Sequence, residues 1–261
     1  MIICLKEQDY KVKLLTQIKK IALDTLFPVY CISCGAFGQW ICEDCFSRIK
    51  IHEQQLCPRC EKIITPQGKN CEQCKKSGKG RLDGLLTAVS YENSPAKKMV
   101  FSLKYRFIRD LADPLAKLMT KAIITNDFPV PGLIVPVPLH PRRLRWRGFN
   151  QAGLLAENIS VNLTPPLAIP VLDILERKKH NKPQMKIKNY QERLKNVENA
   201  FRIKRGFSGS EIKGKIILLL DDIATTGATL EECAKALKKN GAKKVIAAVV
   251  ARQAIKKSKD F

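Results

Sequence analysis

From Gly84 to Arg252 two hydrophobic rhythms alternate along the chain. The segments "GLLTAVSYE", "GLIVPVP", "KIILLLD" and "KKVIAAVVAR" are near-continuous aliphatic runs of strand length, the pattern of strands covered on both faces. Between them, "SPAKKMVFSLKY", "RDLADPLAKLMTKAII", "RRLRWRGFNQAGLLAENIS" and "TLEECAKALKKNG" space their apolar residues three and four apart, which predicts amphipathic helices, the last closed by Gly241. "NAFRI" predicts one further short strand. Strands and helices in this order predict an α/β fold, a parallel sheet with helices on both faces.

Two stretches depart from the rhythm. Leu14, Leu15, Ile18, Ile21, Ala22 and Leu26 recur at helical spacing and predict an N-terminal helical segment within residues 1–30, stopped at Pro28. Its apolar stripe suits packing on the main domain, with a membrane-surface helix as the other reading. Residues 174–198, "ILERKKHNKPQMKIKNYQERLKNVE", hold only three acids among many bases and predict a flexible basic insertion over the site.

Cysteine usage adds a third region. Eight of the ten cysteines form four CxxC pairs, Cys31/Cys34, Cys42/Cys45, Cys57/Cys60 and Cys71/Cys74, separated by seven, eleven and ten residues. No apolar run reaches the roughly 18 residues that span a bilayer, and the charged start "MIICLKEQDYKVKLL" lacks the apolar stretch of a signal peptide. These features predict a cytoplasmic protein with at most peripheral membrane association. Disulfides do not persist in a reducing cytosol, so the pairs predict two Cys4 zinc sites. Neighbouring pairs, Cys31, Cys34, Cys42 and Cys45 on one ion and Cys57, Cys60, Cys71 and Cys74 on the other, are the simplest arrangement; an interleaved cross-brace is the alternative. A closed Cys4 site is structural and supplies folding free energy to a segment with little core. The expected organisation is a helical segment over 1–30, a double zinc ribbon over 31–80 and a main domain over 81–261.

The net charge of +23, from 47 Lys and Arg against 24 Asp and Glu, favours polyanionic partners: nucleic acid, phosphorylated metabolites or anionic membrane. A merely solvated basic surface is the plainer reading, and composition does not choose among the anions.

Against that background, "ILLLDDIATTGATL" places two adjacent acids at the end of a buried strand. Ligands of open α/β sheets bind at the carboxyl ends of strands. The turn-prone Ala224, Thr225, Thr226, Gly227, Ala228 and Thr229 can converge backbone N–H groups on an anion where the next helix begins. Carboxylates Asp221 and Asp222 accept hydrogen bonds from hydroxyls, so together the two halves suit a ribose 5-phosphate. A solvated strand-end pair or a bare Mg²⁺ site is the alternative for the acids. An ATPase reading fails: "GSEIKGK" has Ile216 after its lysine, and a strand follows where a P-loop needs a helix.

"ILLLDDIATTGAT" resembles the phosphoribosyl-diphosphate motif of type I phosphoribosyltransferases. A second cluster, "VPVPLHPRRLRWRGFNQA", turns at three prolines and presents Arg142, Arg143, Arg145 and Arg147, whose planar guanidiniums suit pyrophosphate. Together with the four CxxC pairs and "LKNVENAF", this segment resembles the ComF competence family, which joins a double zinc ribbon to a type I phosphoribosyltransferase domain. The resemblance runs from about Phe27 to Arg252. It implies a type I phosphoribosyltransferase fold, ribose binding by Asp221 and Asp222, and phosphate binding by Ala224 to Thr229. It further implies a pyrophosphate loop of Pro138, Leu139, His140, Arg142, Arg143 and Arg147, supported by Asn150 and Gln151. Weaker implications fall on Gln184, Arg193 and Asn196; Lys178, Lys179 and His180 are candidates for substrate contact.

Two functions follow as expectations. One is a competence factor that binds phosphoribosyl diphosphate with Mg²⁺ and handles incoming single-stranded DNA, alongside other competence machinery, with Trp146 and Phe149 either stacking on bases or packing in the core. The other is an active phosphoribosyltransferase acting on a base or amine, with no direct DNA role.

Overall fold

The structure is a computed structural model, and it describes residues 28–78, 80–178, 197–207 and 209–253. The expected N-terminal helix and most of the basic insertion, with Lys179, His180, Gln184, Arg193 and Asn196, lie outside the described residues. The chain forms two compact units, Met1–Arg48 and Ile49–Phe261. That division falls inside the expected 31–80 ribbon.

In the first unit, Tyr30 and Phe37 face each other across an antiparallel bridge, and a short helix α1 (Glu43–Ser47) follows the second CxxC pair. Its described core is small: Cys31, Ile41 and Cys45 are buried.

The second unit contains α2 (Glu72–Lys76), β1 (Gly84–Ser90), α3 (Ser94–Tyr105), α4 (Ala112–Thr125), β2 (Leu133–Pro136), α5 (Pro141–Arg147) and α6 (Gln151–Leu163). It continues with β3 (Leu175–Arg177), β4 (Phe201–Ile203), β5 (Ile216–Ala224), α7 (Ala228–Lys239) and β6 (Lys244–Arg252). β1, β6, β5 and β2 form, in that spatial order, a four-stranded sheet in which every pairing is parallel. Alternation of side chains across a strand gives each of its faces a core. Leu133, Val135, Ile217, Leu219, Val245, Ala247 and Val249 pack with Leu230, Cys233 and Leu237 of α7 and with Ile174, Leu175 and Phe201 around the β3–β4 hairpin. On the other face α4 packs on β1 and β6, α6 packs on β5 and β2, and the two helices pack on each other.

The path of the chain places a crevice. Beyond β2 the chain runs through α6 to Val171, which bridges Ile134 in parallel on the outer side of β2, away from β5. From β5, by contrast, it runs through α7 to β6, toward the sheet centre. Paired strands whose onward connections diverge leave an opening above their carboxyl ends, here between β2 and β5.

The single helix expected over "RRLRWRGFNQAGLLAENIS" is two. Gly148 adopts φ +78 and its N–H returns to Leu144 O at 2.7 Å, ending α5; Asn150 Oδ1 then accepts from Ala152 N at 3.2 Å and starts α6. A left-handed glycine and an Asn cap outweigh the continuous apolar periodicity.

The second half of the cysteine block packs along β1. His52 N donates to Ala88 O at 2.8 Å, Ile51 bridges Val89 in antiparallel fashion, and Gln55 reaches Thr87 with both ends of its amide. A Cβ on Gly68 would meet Leu85 O at 2.1 Å, so only glycine permits this approach. Farther along, Arg252 donates to Pro58 O and Glu61 Oε1 at 2.9 and 2.8 Å. These bonds explain why residues from Ile49 onward join the larger unit.

Candidate ribose-phosphate site and zinc ribbons

β2 ends at Pro136 opposite Leu220, and Val137 N donates to Leu220 O at 2.8 Å as the last ladder bond between the two strands. β5 continues past this point, paired only with β6, as far as Ala224 opposite Arg252. Asp221 and Asp222 therefore sit where β5 has lost its neighbour. Their side chains take over part of the bonding: Asp222 N donates to Asp221 Oδ1 at 2.9 Å and Ile223 N to Asp222 Oδ1 at 2.6 Å.

Because the strand persists, successive residues turn to opposite faces. Asp222 turns toward α3, where Lys104 Nζ approaches its Oδ1 at 2.9 Å. Asp222 is 2% exposed, and its Oδ2 is buried with no hydrogen-bond partner. Asp221 turns toward α7 and β3, the elements that carry Cys233 and Arg177. Burial, reinforced by the neighbouring Asp222 carboxylate, pushes the Asp221 carboxyl up to about 8, with Lys104 opposing. The Asp221 carboxyl therefore gives up its proton less readily than an ordinary aspartic acid, because a second carboxylate in a desolvated site does not readily ionise.

Arginines converge from two elements, α5 and β3. Arg147, at the end of α5, is 8% exposed; its Nη1 donates to Gln151 Oε1, and its Nε is buried without a partner. Burial lowers its pKa, and Asp222 is the largest opposing influence. Arg177, on β3, also has a buried Nε without a partner, and burial followed by the charge of Arg143 lowers its pKa. Arg142 is exposed at the start of α5, where His140 Nδ1 caps its backbone N–H at 3.2 Å. Pro138 is buried, while Leu139 and His140 are partly exposed. Asn150 Nδ2 donates to Val137 O at 3.0 Å, which ties this turn to the start of α6.

The loop after β5 is held from outside the crevice. Gln253 N donates to Ala224 O at 2.8 Å, and Arg252 Nε reaches Thr225 O at 3.4 Å. Thr226 Oγ1 accepts from Ala228 N at 3.2 Å, and Gly227, at φ +73, turns the chain into α7. Twelve residues of helix thus begin at the carboxyl end of the sheet, with Ala228 and Thr229 in the first turn, a setting that favours an anion.

Sequence reasoning missed Lys104 and Arg177. Lys104 is one of several bases on α3 with no distinguishing spacing, and Arg177 lay within a stretch read as a flexible insertion. Of the two aromatics read as stacking on bases or packing in the core, Phe149 is buried beneath the Arg109 guanidinium, 4.8 Å from its ring centre, and Trp146 is exposed. Lys178 is exposed, its N–H bonded to Ala200 O at 2.8 Å.

The eight paired cysteines gather in two sets, each made of two pairs consecutive in sequence, Cys31, Cys34, Cys42 and Cys45, and Cys57, Cys60, Cys71 and Cys74, with the four sulfurs of each set within 4.8 Å of one another. Burial opposes ionisation of Cys31 and Cys57, yet backbone N–H bonds, led by those of Cys42 and Cys60 respectively, hold both thiols down at about 6. Cys74, crowded by the Cys71 sulfur, is pushed up to about 12. Four thiols this close shed all their protons only beside a cation, and the all-sulfur donor set fits tetrahedral Zn²⁺. Bound there, zinc supplies a crosslink and no reactive position.

Among the described residues no helix is long and apolar enough to cross a membrane. The phosphoribosyl transferase domain family matches residues 147–260, and the double zinc ribbon family matches residues 22–75. Solved structures similar to this chain include a glutamine phosphoribosylpyrophosphate amidotransferase from B. subtilis, with a TM-score of 0.32 and 17% identity, over 54% of this chain but only 26% of that one. A purine phosphoribosyltransferase from Pyrococcus horikoshii aligns at a TM-score of 0.29 and 18% identity, over 54% and 81% of the two chains. DNA utilization protein YhgH of Escherichia coli K12 is 30% identical over 79% of this chain and 88% of its own. Competence protein F of Haemophilus influenzae is 28% identical, over 78% and 87% of the two chains. Competence protein ComFC of Streptococcus pneumoniae is 32% identical, over 78% and 84%. The likeness extends through most of each relative, and on it the chain belongs to the ComF family, whose members join a double zinc ribbon to a phosphoribosyltransferase-type domain.

Proposed function

We propose that the crevice above β2 and β5 binds phosphoribosyl diphosphate with Mg²⁺, and that the protein acts in the cytoplasm as a competence factor handling single-stranded DNA. The observation that carries the first half is a matched set of buried groups: an acceptor, Asp222 Oδ2, and two cationic donors, Arg147 Nε and Arg177 Nε, all without partners. Such groups are costly unless a ligand completes them. In this reading the sugar hydroxyls donate to Asp222 and Asp221, and the 5-phosphate lies at the Thr225–Thr229 turn. The diphosphate faces the Pro138–Arg143 turn and Arg147. Mg²⁺ would neutralise the diphosphate and assist its departure. Lys104 holds Asp222 in place through the 2.9 Å contact, and Asn150 positions the diphosphate turn. The DNA half is supported by the names of the relatives, a DNA utilization protein and two competence proteins, and by the net charge of +23.

The test is thermal denaturation with millimolar phosphoribosyl diphosphate and Mg²⁺. A ligand that binds only the native state raises the melting temperature. The rise is expected in the wild type and lost in the Asp221→Ala/Asp222→Ala variant; no wild-type rise, or an equal rise in the variant, refutes the site. Pyrophosphate release measured in the same samples separates transfer of the sugar from binding alone.

A further inference from the structure

Four large aromatic side chains stand exposed in a row beside the carboxylate site. Phe101 and Tyr105 lie on α3, Phe107 just beyond it and Trp146 on α5, with exposures of 52%, 40%, 41% and 59%. Their rings touch in sequence: Phe101 to Tyr105 at 5.0 Å between centres, Tyr105 to Trp146 at 6.5 Å, and Trp146 to Phe107 at 5.2 Å. Single exposed apolar residues are ordinary, but a connected aromatic row on two elements marks an interaction surface. Such a row is no product of core packing. On α3 the buried side is Ala96, Met99, Val100 and Leu103, and the aromatics lie off it.

Charge indicates the occupant. Lys97, Lys98, Arg106, Arg109, Arg142 and Arg145 are exposed around the row, and neither α3 nor α5 contains a carboxylate. Aromatic faces amid six exposed cations, against the exposed acid Asp110 beside Arg109 in sequence, suit a strand that offers flat bases and a phosphate backbone together. A protein partner would call for acids to match, and duplex DNA keeps its bases stacked inside. We propose that Phe101, Tyr105, Trp146 and Phe107 are the platform on which single-stranded DNA stacks its bases, with its phosphates on the surrounding arginines and lysines. This deepens the DNA half of the reading above and rests on it.

The platform is joined to the ribose-phosphate crevice. Arg147 lies beneath the row, its Cζ 5.9 Å from both the Tyr105 and the Trp146 ring centres, and Asp222 is the largest influence opposing its lowered pKa. Lys104, the partner of Asp222, immediately precedes Tyr105. Strand and sugar phosphate therefore meet on the same guanidinium.

The test uses the full chain carrying Trp40→Phe, which leaves Trp146 as the one indole. Titration with a fluorescent-free oligo(dT) of about 20 nucleotides should quench Trp146 emission, and in parallel Trp146→Ala and Phe107→Ala should each weaken oligo(dT) binding by about 5- to 150-fold. Both variants should keep the wild-type circular dichroism melt, and Trp146→Phe should recover most of the affinity. Wild-type affinity in both alanine variants overturns the platform alone. No binding of oligo(dT) by the wild type overturns the DNA reading with it, while the phosphoribosyl diphosphate melt still judges the crevice separately. Trp146 shielded from acrylamide before DNA is added, showing a covered row, also overturns the proposal, as does tighter binding of oligo(rU). Loss confined to Arg81→Glu or Lys244→Glu, in the basic cleft at the opposite end of the sheet, moves the DNA there and overturns it as well.

Discussion

Lys104 Nζ and Asp222 Oδ1 lie 2.9 Å apart, and neither side chain is more than 18% exposed. Removing one member of such a buried pair strands the other charge. Lys104→Ala is expected to cost about 3 kcal/mol of stability, read by denaturant unfolding. Lys104→Met combined with Asp222→Asn should restore much of that loss, because the uncompensated charge is gone. A double variant as unstable as Lys104→Ala refutes this account of the pair.

Asp221 yields a pH prediction. Its carboxyl rises from 3.8 to about 8 on folding, so between those values the folded chain holds a proton that the unfolded chain has lost. Stability therefore falls as pH rises from about 4 toward 8, by at most about 1.4 kcal/mol per pH unit from this group. Asp221→Asn should flatten that slope in melts across the same range. Binding of phosphoribosyl diphosphate with Mg²⁺ should also release close to one proton at pH 7. Calorimetry in buffers of different ionisation heat measures it, and equal heats in all buffers count against the prediction.

Asn150 separates capping from positioning. Asn150→Asp keeps an oxygen to cap Ala152 N but loses the donor to Val137 O, whereas Asn150→Ala loses both. The alanine variant is expected to lose about 1 kcal/mol of stability, the aspartate variant less. Both should bind phosphoribosyl diphosphate more weakly than the wild type, by roughly 5- to 10-fold for one hydrogen bond. Full affinity in Asn150→Asp removes the positioning role.

How far the sequence reached can be judged element by element. Aliphatic runs located β1, β2, β5 and β6 because strands covered on both faces have little choice of composition, and the acid pair with its Thr-Gly turn located the crevice. The break between α5 and α6 was visible as Gly148 and Asn150 but was overridden by the apolar spacing. Lys104 and Arg177 were not legible at all. Their importance comes from being brought to Asp222 and Asp221 from distant elements, and one base among 47 has no local mark.

Metal removal should act unevenly on the cysteine block. Residues 28–48 have few buried side chains, whereas the second set of cysteines is also anchored through Gln55, Gly68 and Arg252. Hydrogen exchange with a strong chelator is expected to strip protection from residues 28–48 first and from residues 49–78 only later. Simultaneous loss would show that the anchoring contributes little.

That anchoring has a second meaning for the sheet. β1 is an end strand, and an uncovered end strand offers its backbone to any passing chain. Ile51, His52 and Gln55 occupy Val89, Ala88 and Thr87, and Gly68 lies close against Leu85. The zinc-bearing segment thus works as a cover over an adhesive edge, and a chain starved of metal would be lost first to self-association rather than to unfolding of the transferase-type core.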